Sequence, residues 1–233
     1  MIDTLFKDIE SIESKCNSIL EIGVGSSFVI NNLKAILDSR GWIGHCMATD
    51  VNIQACEYSS RVSKEFKTAT DLLLADAAGP FKSACMDMVI CNPPYVVTLE
   101  DEVIKVKDAK AQQHKVLKDI HERQKLIQHN TMEDCKEGID VFKEVRDKSN
   151  TVECAWVGGD VGLEFFDRII GEAYRVLRPG GIFYFLVIED NQPEEIVQYC
   201  EDIGFTNTKF LSSRIKLNEK IYILKMEKKN DEA

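Results

Sequence analysis

Met86-Asp87-Met88-Val89-Ile90-Cys91-Asn92-Pro93-Pro94-Tyr95 decides the fold. Met88, Val89 and Ile90 form a short apolar run, as expected of a strand covered on both faces in a parallel sheet. Asn92 stops that strand. Pro93 locks its own φ and pushes Asn92 towards an extended conformation. The Asn92 amide is therefore aimed into the space above the strand's C-terminal end, where open α/β sheets bind ligands. Its side-chain carbonyl and the carbonyl of Pro93 are two fixed acceptors, able to grip both hydrogens of a planar NH2 group. An amide or exocyclic amine nitrogen is a weak nucleophile because its lone pair is delocalised. Holding both hydrogens orients that lone pair and favours the positive charge that develops as it attacks. Tyr95 is placed to wall or stack the planar group. Asn-Pro is also a common turn signal, so the tetrad acquires meaning only from its surroundings.

Upstream, Met1 to Cys16, with Leu5, Ile9 and Ile12 at helical spacing, predicts one helix lying against the sheet, and Ser18 to Ile22 reads as the first strand. It runs into Glu21-Ile22-Gly23-Val24-Gly25-Ser26-Ser27, a strand, a Gly-x-Gly turn and then a helix over Phe28 to Ser39. That arrangement brings backbone N–H groups and a helix N-terminus close to a ligand. The third small position is Ser27 rather than glycine. Gly44 to Thr49 predicts a second strand ending at Asp50, placed to take ribose hydroxyls. Asn52 caps a helix to Lys64, and Leu72 to Ala75 predict a third strand ending at Asp76. Carboxylates thus stand at three successive strand ends: Glu21, Asp50 and Asp76.

Downstream, Leu163 to Leu177 reads as an amphipathic helix, Arg178-Pro179-Gly180-Gly181 as a sharp turn, and Ile182 to Ile188 as a strong strand. A helix over Glu194 to Ile203 begins at Pro193 and ends at Gly204. Phe205 to Leu211 and Lys220 to Met226 predict two closing strands. The stretch from Thr98 to Asn150 is dense in charge and contains no proline. It is read as a helical or flexible insertion over 100–150 within one domain of 1–233.

The bulk composition narrows the classes. The 233 residues suffice for one good-sized α/β domain. No run of about twenty apolar residues predicts a membrane span, and the charged first ten residues lack a secretory apolar segment. Eight cysteines contain no C-x-x-C pair, which points to reduced thiols in the cytosol or nucleus. His114, His121 and His129 have no carboxylate or cysteine partners at ligand spacing, so no metal site is expected. A net charge of −10 argues against a stand-alone nucleic-acid binder.

The order of these elements resembles the class I S-adenosylmethionine-dependent methyltransferases: an α/β, Rossmann-like fold with a seven-stranded, mostly parallel sheet, an antiparallel terminal strand and flanking helices. The N-P-P-Y tetrad resembles that of the enzymes methylating a nitrogen attached to a planar system. C-N-P-P-Y-V-V-T (Cys91 to Thr98), A-W-V-G-G-D-V-G (Ala155 to Gly162) and I-E-D-N-Q-P-E-E-I (Ile188 to Ile196) are similar to the short eukaryotic and archaeal HemK-type branch. The resemblance implies N5-methylation of the glutamine in the Gly-Gly-Gln loop of a class-1 translation termination factor. It implies a small zinc-binding activator protein as partner. It also implies that Glu21, Gly23 and Gly25 shape the methionine and ribose side of the cofactor site. Asp50, with Val51 beside it, would take the ribose hydroxyls. Asp76 would take the adenine amino group with Ala77 beside the ring. Asn92 and Pro93 would hold the substrate amide, with Pro94 and Tyr95 lining its slot, and the Trp156 to Gly162 loop would close one side. The insertion over 100–150 has no counterpart in that resemblance. Other readings stay open: an N6-adenine DNA methyltransferase using the tetrad on a flipped base, a protein-lysine or small-molecule methyltransferase, and a non-catalytic scaffold in a translation complex.

Overall fold

The computed structural model describes residues 1–93, 163–216 and 219–230. Pro94, Tyr95, the 156–162 loop and the 100–150 insertion lie outside the described residues. In chain order the elements are α1 (Ile2–Lys7), α2 (Ile9–Lys15), β1 (Ser18–Ile22), α3 (Phe28–Ser39), β2 (His45–Asp50), α4 (Ile53–Phe66), β3 (Thr70–Leu74) and β4 (Met86–Cys91). They continue as α5 (Leu163–Val176), β5 (Leu177–Ile188), a 3-10 turn (Glu189–Asn191), α6 (Pro193–Asp202), β6 (Phe205–Lys216) and β7 (Glu219–Lys228). The strands form one sheet in the order β3-β2-β1-β4-β5-β7-β6. β1 to β5 pair in parallel, and β7 runs antiparallel to both β5 and β6. This is the predicted sheet, with the chain's last strand reversed.

Period-two alternation explains why β4 and β5 read as unbroken apolar runs. Met88 and Ile90, with Ile182 and Tyr184, face a core completed by Leu5, Ile12, Ile30 and Leu33. Val89 and Cys91, with Phe183 and Phe185, face the opposite core beneath Phe166, Ile170, Ala173 and Ile196. A strand with helices on both faces has no polar side to show. The order of strands reverses direction between β1 and β4, and the carboxyl ends of the strands at such a point are where open α/β sheets form their ligand crevice.

Two local expectations need correction. The N-terminal helix is broken at Asp8, whose backbone (φ −102°, ψ 11°) closes α1 and opens α2. Its carboxylate is held by the Tyr184 hydroxyl and the Lys225 ammonium, so the chain is pinned to the sheet mid-helix. Arg178 to Gly181 is not a turn outside the strand but a bulged start to β5, with a register shift between Met86 and Met88. Gly180 takes a left-handed φ of +75°. A Cβ on Gly181 would sit 2.8 Å from the Arg178 carbonyl oxygen and 3.2 Å from that of Asp87. Only glycine permits that approach.

Asp87 ties these strand starts together. Its Oδ2 accepts from the backbone N–H of Asn17 (2.8 Å) and Ser18 (2.9 Å) and from the Ser18 hydroxyl (2.9 Å). Oδ1 accepts from Arg178 at 2.8 Å. Removing the carboxylate strands two backbone donors and the guanidinium. Asp87→Ala is therefore expected to destabilise by about 2–4 kcal/mol. Arg178, whose side chain is half exposed, is expected to cost under about 1 kcal/mol as Arg178→Ala. Thermal unfolding of the two variants checks both values.

Candidate active site

The site is built at the carboxyl ends of β1 and β4. Beyond β1 the chain turns through Gly23 (φ +77°), Gly25 (φ +47°) and Ser27 (φ +55°) before α3 begins. The N–H groups of Gly23 and Val24 both donate to the Thr49 carbonyl at 2.9 Å, clamping the turn against the end of β2. A Cβ built on Gly23 or Gly25 would meet nothing within 4 Å. Glycine is thus favoured there for its backbone conformation, and the turn borders open space.

The three acids have unlike surroundings. Glu21 is 2% exposed, and its Oε2 accepts from the N–H of Ile30, in the first turn of α3, at 3.1 Å. Ser27, at the N-cap position, makes no side-chain capping bond, so a carboxylate from the strand satisfies one of the helix's free donors. Burial pushes the Glu21 carboxyl up to about 8; the Ile30 N–H opposes the rise and the Asp50 charge adds to it. The Glu21 carboxyl thus rests against the first turn of α3.

Asp50 holds the turn from the other side. Its Oδ2 accepts from Gly25 N–H at 2.9 Å and its Oδ1 from Asn52 N–H at 2.8 Å. Burial raises its pKa, and the backbone bonds from Gly25, Asn52 and Val51 oppose that. A carboxylate offers about four acceptor sites, so lone pairs remain for ribose hydroxyls. The Asp50 carbonyl also accepts from Ala75 N–H at 2.9 Å, which brings the end of β3, and with it Asp76 and Ala77, beside the end of β2. Asp76 is paired with Arg168 of α5. Nothing in the sequence singles out Arg168, since one arginine on the polar side of an amphipathic helix is unremarked until the fold brings it to the strand end. Ala77 is buried with φ +47°.

Asn92 follows the last paired residue of β4, Cys91, which is in register with Ile22. The residue after Ile22 is Gly23, so the Asn92 amide and the glycine turn emerge from neighbouring strands. Asn92 is exposed between buried Cys91 and buried Pro93, as expected of a polar group presented at a strand end. The structure thus brings together Glu21, Gly23, Gly25, Asp50, Val51, Asp76, Ala77, Asn92 and Pro93. Open space beside the turn, acceptors at the end of β2 and an acid at the end of β3 fit an adenosine-bearing cofactor.

The Glu21 shift has a sign that can be checked. A carboxyl with its folded pKa raised from about 4.5 to about 8 binds its proton in the folded state after the unfolded chain has lost it. Stability contributed at that position therefore falls as pH rises from about 4.5 to about 8. Glu21→Gln keeps an acceptor for Ile30 and removes the titration. Relative to the parent protein, the variant is expected to gain up to a few kcal/mol between pH 5 and pH 8, at about 1.4 kcal/mol per unit. Denaturant unfolding of the cofactor-free protein across that range measures the gain.

No family model matches the chain. The protein called methyltransferase HEMK2 from Homo sapiens is 26% identical over 212 residues, covering 90% of this chain and 77% of that protein. The eRF1 methyltransferase catalytic subunit mtq2 of Schizosaccharomyces pombe is 23% identical, covering 88% of this chain and 75% of its own length. Among solved structures, the E. cuniculi Mtq2–Trm112 complex, responsible for methylating the eRF1 translation termination factor, matches with a TM-score of 0.56 at 22% identity, covering 97% of this chain and 93% of that one. A methyltransferase from Pyrococcus furiosus matches with the same TM-score at 15% identity, covering 97% of this chain and 82% of that one. Over most of its length, then, the chain is similar in sequence to HemK-type methyltransferases of the eukaryotic branch, and it shares the fold of these solved methyltransferases.

Proposed function

We propose that this chain methylates the side-chain amide nitrogen of the glutamine in the Gly-Gly-Gln loop of a class-1 translation termination factor, as the catalytic subunit beside a small activator protein. One observation carries the reading: Asn92, exposed at the end of β4 beside the glycine turn, fixes an amide-binding acceptor at the cofactor crevice. The names of the fission-yeast relative and of the E. cuniculi complex supply the substrate and the partner class.

The cofactor, when bound, supplies an activated methyl group on a sulfonium. The chain's own residues bind and align. Gly23 and Gly25 leave room for the cofactor, and Asp50 has acceptor capacity for its ribose. Oδ1 of Asn92 and the Pro93 carbonyl accept the two hydrogens of the substrate amide, turning the nitrogen lone pair towards the crevice. The nitrogen sheds its extra proton to solvent after transfer, so no strong base is needed. Alignment of reactants supplies on the order of 7–11 kcal/mol. Each amide-gripping hydrogen bond adds about 1 kcal/mol, more where charge develops away from water. Positioning is the larger effect.

The test is transfer of labelled methyl to a purified termination factor, with the chain co-produced with its activator. Label is expected on the wild-type factor and not on a factor whose loop Gln is replaced by Ala. Asn92→Ala is expected to lower kcat at least about a hundredfold while cofactor affinity stays within about twofold. Label on DNA with none on the factor would replace this reading with that of an adenine methyltransferase.

A further inference from the structure

We infer that Asn31 is a positioning residue for the cofactor turn: its side-chain amide holds Ser27 in the left-handed conformation that a glycine would adopt unaided. The inference rests on the S-adenosylmethionine reading of that turn. It accounts for the one place where Gly23-Val24-Gly25-Ser26-Ser27 departs from an all-small glycine pattern.

Ser27 is fully buried and sits at φ +55°, ψ 14°. For a residue with a Cβ, this region costs roughly 1–2 kcal/mol. Something must hold it there. The Ser27 N–H donates to the Val24 carbonyl at 2.7 Å, closing the turn, and the Ser27 carbonyl accepts from Asn31 N–H at 3.2 Å. The Ser27 hydroxyl oxygen accepts from Asn31 Nδ2 at 2.8 Å. A serine at a helix start ordinarily turns its hydroxyl onto the helix's own N–H groups. Here Glu21 serves Ile30 instead, and the hydroxyl is released to Asn31.

Asn31 is itself immobilised. It is 4% exposed. Its Oδ1 receives the hydroxyls of Ser63 (2.9 Å), Thr68 (2.8 Å) and Thr70 (3.1 Å), from α4, the following turn and the start of β3. With three hydroxyls gathered on the oxygen, the NH2 end is committed to Ser27. The hub therefore does more than join α3 to α4. It transmits the rigidity of that packing to the third position of the turn, and so to Gly25, two residues earlier. Freed from Asn31, Ser27 spends part of its time outside the left-handed region. The fraction of turns able to accept the cofactor then falls, and apparent affinity falls with it.

The experiment is calorimetric binding of S-adenosylhomocysteine, the non-reactive product, to the whole 233-residue chain, with thermal unfolding of every variant alongside. Asn31→Ala is expected to weaken binding roughly tenfold. Adding Ser27→Gly, which reaches the left-handed region without help, is expected to restore the Asn31→Ala protein to within about twofold of wild type, although its melting temperature stays low. Ser63→Ala trims the hub on the far side of Asn31 and is expected to lower the melting temperature while binding is retained. Should Asn31→Ala fail to fold, Ser27→Ala against Ser27→Gly carries the test. Both remove the hydroxyl and leave Asn31 Nδ2 equally unpartnered, so Ser27→Ala is expected to bind roughly tenfold more weakly than Ser27→Gly. Equal binding by that pair, wild-type binding by Asn31→Ala, or no rescue by Ser27→Gly overturns the inference. No binding by the wild-type chain overturns the cofactor reading and this inference together.

Discussion

Two consecutive residues at the end of β2 hold the site. The Thr49 carbonyl accepts from the N–H groups of Gly23 and Val24, and the Asp50 carbonyl accepts from Ala75. The Asp50 carboxylate accepts from Gly25 and Asn52. The turn after β1, the start of α4 and the end of β3 are therefore all tied to one strand end. Backbone N–H groups left unpaired at partly buried strand ends would each cost free energy comparable to a lost hydrogen bond, so this arrangement stabilises the fold and shapes the crevice through the same contacts.

The same corner holds a tension between stability and binding. Glu21 and Asp50 are both desolvated, each has its carboxyl pushed up by burial, and the Asp50 charge raises Glu21 further. Two carboxyls so placed weaken the empty protein at neutral pH and above. Glu21 keeps its proton up to about pH 8, so below that it offers a cofactor a neutral carboxyl rather than a charge. Proteins commonly break local rules where they bind and compensate elsewhere.

Much of this was legible in the sequence because it lies in local patterns. The apolar runs of β4 and β5, the strand–glycine–helix succession and an acid after each early strand need no tertiary knowledge. The order of elements then fixed the parallel sheet and its switch point. What was not legible depended on contacts across many residues. The break at Asp8 follows from Tyr184 and Lys225, on strands near the other end of the chain. The bulged entry to β5 follows from the passage of Gly181 against Asp87. Arg168 reaches Asp76 only because α5 packs over that side of the sheet. Glu21 stands out as an acid at a strand end, yet its partner is a helix N–H that no spacing rule in the strand reveals.

Rigidity at the end of β4 is what the proposed transfer asks for. β4 is paired along its length with β1 on one side and β5 on the other, and its apolar residues are buried on both faces. Pro93, itself buried, removes a backbone degree of freedom at the next position. An acceptor emerging from such a strand is already placed before any substrate arrives, so its orientation costs little at the moment of reaction. A weak nitrogen nucleophile facing an activated methyl group gains most from placement and least from proton transfer. The sequence spends its restraints accordingly: on the backbone that carries Asn92 and on the turn beside it.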